Sequence, residues 1–148
     1  MTESEALYTD IAQLVGTIGL KLVDLTVSRH KRSVQVSAVV YAPAGTGIDE
    51  CARAHRLMQP FLAERLGTED YHLEVASPGI DRVLKHAREY AVFAGRGMRL
   101  LLEGGERVEG VLVSADGTAL LLRTPSGERS LPLASIIKAK LDSSQEGR

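Results

Sequence analysis

The stretch that most limits how this chain can fold is Leu73-Glu74-Val75-Ala76-Ser77-Pro78-Gly79-Ile80-Asp81-Arg82-Val83-Leu84. Leu73 and Val75 alternate with Glu74, the two-residue period of a half-buried strand. Pro78 fixes its own φ and holds Ser77 extended, and Gly79 supplies the positive φ that the third position of a type II turn requires. The strand therefore ends in a hard corner, and the charged pair Asp81 and Arg82 follows on a segment too short and polar to be core. Ser77, Pro78, Gly79 and Asp81 form the corner between two differently patterned halves of the chain.

Before the corner, helical and strand periods alternate. Thr2 and Glu5 have capping-box spacing, and Leu7, Ile11, Leu14, Val15 and Ile18 recur at helical intervals up to Gly19. Leu20 to Ser28 and Val34 to Tyr41 read as strands, with Val23, Leu25 and Val27 alternating in the first and Val34, Val36, Ala38 and Val40 in the second. They flank Arg29-His30-Lys31-Arg32-Ser33, which predicts a hairpin with a basic tip. Asp49 is placed to cap a second helix running to about Leu66 and stopped by Gly67. Tyr71 to Val75 is the third strand. The order αββαβ, with one apolar face per helix, predicts a two-layer sandwich.

After the corner, Lys85 to Ala94 predicts a short helix anchored by Tyr90 and Phe93 and ended by Gly95. Met98 to Leu102, Val108 to Val113, Ala119 to Arg123, Arg129 to Leu133 and Ile136 to Leu141 are short strands split by turn residues. Five strands in so short a span predict a small β-barrel. The expected fold is α+β, with an α/β domain over residues 1–83 and a barrel with a short leading helix over 84–148. Its polar tail, Asp142 to Arg148, is expected to fray.

In its 148 residues the chain is 44% hydrophobic and 25% charged, within the globular range. No apolar run approaches the ~20 residues of a membrane span, and Met1-Thr2-Glu3-Ser4-Glu5 is acidic where a signal peptide is basic, so the expected location is the cytoplasm. A single cysteine, Cys51, excludes an internal disulfide. A net charge of −1 excludes a chain coated in positive charge. Residues 1–82 hold 8 Lys/Arg against 11 Asp/Glu, and residues 83–148 hold 10 against 8, so the second half is mildly basic. Aromatics are 4%, too few for a base-stacking platform.

The corner also carries a resemblance. A strand of the form L-E-V-S-S-P-G followed by leucine and D-R-P-L is the signature of the RimP family, the bacterial ribosome maturation factors, and Leu73 to Leu84 is similar to it. Ala76 stands at the first serine, Ile80 at the leucine and Val83 at the proline; Val83 restores a backbone N–H and loosens the exit from the corner. The resemblance extends from the Gly19 turn to the Ile136–Leu141 segment. It implies an N-terminal α/β domain followed by an Sm-like or SH3-like barrel. It also implies a factor that assists assembly of the small ribosomal subunit without catalysis. The implied partners are ribosomal RNA and a small-subunit ribosomal protein, the latter contacted around Lys85 to Met98. No membrane and no small-molecule substrate are implied. The alternative is a protein-only adaptor using an SH3-like barrel; such grooves are lined by aromatics, and none follows Phe93.

Catalytic chemistry finds little support in the sequence. Cys51 and His55, four apart on one helix face, offer two metal ligands, but no second Cys/His pair completes a tetrahedron. His30, His72 and His86 are scattered. Neither metal nor cofactor is expected. Ser77 follows a strand on a sharp turn, yet lacks the flanking glycines and following helix of a nucleophile elbow. Asp81 is read as capping the corner or pairing with Arg82. Gly16-Thr17-Ile18-Gly19 matches the G-x-x-G string of a nucleic-acid clamp, but it closes a helix before a strand. The basic groups remain. Arg29, Lys31 and Arg32 at the hairpin tip can touch phosphates without reading sequence, or serve as a solvated turn that blunts edge pairing. Arg82, Lys85 and Arg88 across the corner can meet a partner, or line a helix surface.

Overall fold

The computed structural model describes residues 3–68 and 70–146. The capping role expected of Thr2 lies outside them. The chain divides between Pro78 and Gly79 into two compact α+β units.

In the first unit, α1 (Glu3–Gly16), β1 (Lys21–His30), β2 (Ser33–Tyr41), α2 (Ile48–Leu66) and β3 (Tyr71–Ala76) follow one another as the αββαβ order requires. The sheet order is β1-β2-β3, antiparallel between the first two and parallel between β2 and β3, with α2 as the crossover. Leu7, Ile11 and Val15 of α1 and Ala54, Met58, Leu62 and Leu66 of α2 form one core with Val34, Val36, Ala38 and Val40 of β2. Each fully buried Leu or Met contributes about 1.5–3 kcal/mol.

Two local readings are corrected. In β1 the pairing shifts between Leu22 and Asp24. This bulge moves the phase by one residue, so that Leu22 and Leu25 enter the core cluster and Val23 does not. At the start of α2, Gly47 is the N-cap, and Glu50 reaches back to its N–H at 2.8 Å. Asp49 therefore lies inside the first turn, where its charge meets the positive end of the helix dipole.

The second unit contains α3 (Arg88–Val92), β4 (Gly97–Leu102), β5 (Arg107–Ala115), β6 (Ala119–Thr124), β7 (Gly127–Pro132) and β8 (Ile136–Leu141). Its antiparallel sheet has the order β7-β6-β5-β4-β8. All five predicted strands are present, and among the described residues no ladder closes β7 onto β8. Phe93, Met98, Leu100, Leu112, Leu120, Leu122 and Leu141 are its largest buried apolar side chains.

Helix α3 is shorter than the predicted Lys85 to Ala94. The preceding residues are held extended against β8, where Val83 bridges Lys140, the Leu84 N–H donates to Ala139 O at 2.9 Å, and the Leu141 N–H donates to Arg82 O at 2.9 Å. A chain bound as a strand through Leu84 cannot begin a helix at the next residue. The same bonds tie Arg82 to Leu84 to the second unit.

The polar tail is not frayed as far as Glu146. A 3-10 turn, Ser143–Gln145, follows β8. Asp142 accepts from Ser144 N and Oγ, and Gln145, 5% exposed, donates to Glu109 and Asp142. Glu146 Oε2 accepts from Arg96 Nε at 2.8 Å and from the Gly97 N–H at 3.0 Å. A polar sequence thus docks by hydrogen bonds instead of apolar burial.

This clasp has a definite pH dependence. Hydrogen bonds from Ser144 and Gln145 hold the Asp142 carboxyl well below the usual range. For Glu146, burial pushes upward, but Arg96 and the Gly97 N–H outweigh it and the carboxyl also lies low. Depressed folded-state values mean that the unfolded chain binds these protons first, so the stabilisation is present near neutrality and disappears as pH falls below about 4. Glu146→Gln is expected to lower stability by about 1 kcal/mol at pH 7, with the gap to the parent closing in acid. Urea midpoints of both proteins across that range measure it, and a gap independent of pH refutes it.

Candidate nucleic-acid interface

The hairpin tip is a two-residue connection, with His30 opposite Ser33 and Lys31 at φ 50°. Lys31 and Arg32 are exposed there. Arg29 is committed elsewhere: its Nε and Nη2 donate to Glu3 at 2.9 and 2.6 Å. That hydrogen bond lowers the Glu3 carboxyl and raises the Arg29 guanidinium. Among the described residues the tip therefore presents Lys31 and Arg32 without an ion-pair partner and Arg29 in a fork-shaped ion pair.

The second predicted group separates further. Arg82 does not pair with its neighbour Asp81. Its Nε donates at 2.8 Å to Oε1 of Glu89, which is fully buried. Glu89 Oε2 also accepts the backbone N–H groups of Lys85 and His86, at 3.0 and 3.1 Å. A single carboxylate thus gathers the exit of the corner and the start of α3. Lys85 directs its exposed side chain to solvent, and Arg88 is half-buried.

At the corner, Gly79 has φ 78°, as a type II turn needs. Ser77 is exposed and lines an open hollow of about 770 Å³ with Ile48, Cys51, His55 and Val75. His55 Nε2 lies 3.2 Å from Leu73 O, so the imidazole is engaged with the β3 backbone. Burial, with Glu50 nearby, pushes the Cys51 thiol up, which disfavours the thiolate needed for a ligand or nucleophile. Asp81 is exposed beside a small cleft shared with Arg99, Lys140 and Asp142.

The sheet of the second unit brings together four cations that the sequence reading did not select. Arg99, Arg107, Lys138 and Lys140 surround a shallow hollow of about 250 Å³ with Leu100 and Leu101. In the register, Arg99 stands opposite Lys140, and Leu101 is flanked by Lys138 on β8 and Arg107 on β5. Arg99 is partly balanced by Asp142 at 3.1 Å and Glu109 at 3.4 Å. Arg107, Lys138 and Lys140 pair with no carboxylate among the described residues. These cations lie on three strands up to 41 positions apart, so no window of the sequence contains them all. The available signal was Lys138-Ala139-Lys140, whose two-residue period places both lysines on the face opposite buried Ala139.

The geometry defines an α+β protein of two small units that bears cationic groups at a hairpin tip and across an antiparallel sheet. A family model described as the RimP N-terminal domain matches residues 10–81. The chain is also 24% identical over 139 residues, 94% of its own length and 96% of the relative's, to the ribosome maturation factor RimP of Borrelia turicatae (strain 91E135). The chain is thus similar to the RimP N-terminal domain over residues 10–81 and to a ribosome maturation factor over nearly its whole length.

Proposed function

We propose that this protein is a ribosome maturation factor of the cytoplasm that binds the free or immature small ribosomal subunit and assists its assembly without catalysing a reaction. The observation that carries this reading is the near end-to-end match to a ribosome maturation factor. No helix among the described residues is long and apolar enough to cross a membrane, in keeping with action on a soluble particle. The second unit is read as an Sm-like barrel: β4 to β7 run side by side in sequence order and β8 returns beside β4. Its partners are ribosomal RNA and a small-subunit ribosomal protein, contacted through Lys31 and Arg32 at the tip and Lys85 beyond the corner. Arg29, Arg82 and Arg88 shape these surfaces, Arg29 and Arg82 through their ion pairs.

On low-magnesium density gradients the purified protein is expected to co-sediment with free small subunits or their precursors and not with intact ribosomes. Its bound fraction is expected to fall as salt rises, because phosphate contacts release counterions. Migration at the top of the gradient at every salt concentration removes the proposal.

A further inference from the structure

We infer that the outward face of β4, β5 and β8 is a phosphate-binding surface for an RNA strand, built from Arg107, Lys138 and Lys140 with Arg99 on the strand between them. The inference rests on the ribosomal reading above and names the surface and the chemistry it recognises.

The first argument is the arrangement of charge. Like charges placed directly across a ladder are destabilising, yet Arg99 faces Lys140, and the carboxylates of Glu109 and Asp142 offset only the Arg99 side of that pair. A face built only for solubility intersperses the two signs, as Arg129 and Glu106 do at the edge of the same sheet. Here Glu109 and Asp142 reach Arg99, while Arg107, Lys138 and Lys140 converge on one hollow and none of the three pairs with a carboxylate among the described residues. Such a field awaits an anion.

The second argument is spacing. Lys138 and Lys140 are two residues apart on one strand, about 7 Å, and Arg107 stands two strands from them, about 10 Å away. Flexible side chains on that frame reach several phosphates of one strand together, whereas a single small anion touches only part of it. The third is what the face lacks. Every aromatic of the chain precedes Met98, so the sheet has no ring on which a base can stack. The surface thus holds the sugar–phosphate backbone and is indifferent to sequence. The overall charge of −1 is no obstacle, because screening confines the interaction to about 10 Å at 0.1 M salt.

The test compares the full chain with the triple variant Arg107→Gln/Lys138→Gln/Lys140→Gln and with the tip variant Lys31→Gln/Arg32→Gln. Binding is read by fluorescence anisotropy of a labelled, mixed-sequence RNA hairpin with a single-stranded flank over a salt series, after circular dichroism shows that each variant keeps the parent's fold. The triple variant is expected to lose at least tenfold in affinity at 0.1 M salt, and its slope of log affinity against log salt is expected to fall by about 2 to 3. The tip variant is expected to retain the sheet's contribution to that slope. No RNA binding by the parent, or a triple variant with the parent's slope, overturns the inference. So does a parent that binds a polyglutamate peptide as tightly as the RNA, which marks the face as a dock for acidic protein. If the parent co-sediments with small subunits while its RNA slope ignores the triple substitution, the surface is wrong and the function stands. If it does not co-sediment, the function itself fails.

Discussion

Replacing Glu89 with alanine is expected to destabilise the protein by about 3–5 kcal/mol, read as a large fall in the urea midpoint at neutral pH. Glu89 is fully buried, and its two oxygens accept from the Arg82 guanidinium and from the backbone N–H groups of Lys85 and His86. Removing the carboxylate deletes three charge-assisted hydrogen bonds at once and leaves a largely buried guanidinium without that counter-charge. Glu89→Gln separates charge from shape. Its amide keeps one carbonyl acceptor but turns an NH2 toward donors, so it is expected to recover only part of the loss. A midpoint for Glu89→Ala within experimental error of the parent's would show that the clasp contributes nothing net.

Gly110→Ala is expected to be the next largest, about 2–3 kcal/mol, for a reason unrelated to backbone conformation. A Cβ at this position meets Arg123 O at 2.3 Å and Arg123 C at 3.0 Å, both backbone atoms of the paired strand β6, with Leu122 Cγ at 3.2 Å. Backbone in a ladder cannot retreat without breaking its hydrogen bonds, so the sheet must shift. Gly117→Ala is the control, since its Cβ meets no atom within 4 Å, and it is expected to change stability by no more than about 0.5 kcal/mol. Thermal unfolding of the pair decides the matter: equal midpoints would mean that β5 and β6 move apart at little cost.

These two residues show where sequence reading stops. Glu89 carries capping-box spacing to His86, but the N-cap partner that makes such a box visible, a Ser or Thr, is absent. Nothing local announces that its carboxylate is buried or that Arg82 will turn to it in preference to Asp81. Gly110 lies inside a predicted strand, where a glycine signals either a bulge or a close approach. Only the register with Arg123 selects the close approach. The bulge in β1 is a similar case: the alternation of Val23, Leu25 and Val27 was legible, but the shift that places Leu22 and Leu25 on the same side is imposed by pairing with β2.

The sequence by itself determined the elements and their order, because hydrophobic period, helix stops such as Gly67 and the Pro78–Gly79 turn act over a few neighbouring residues. It also carried the family resemblance, since the Leu73 to Leu84 run is a contiguous pattern. Tertiary structure alone decided which charges are spent and which are available. Arg29 and Arg82 are taken by Glu3 and Glu89, while Arg107, Lys138 and Lys140 are collected onto one face of a sheet. Ion pairs and surface fields depend on distance in space, and the ladder that places β8 beside β4 sets those distances between residues remote in the chain.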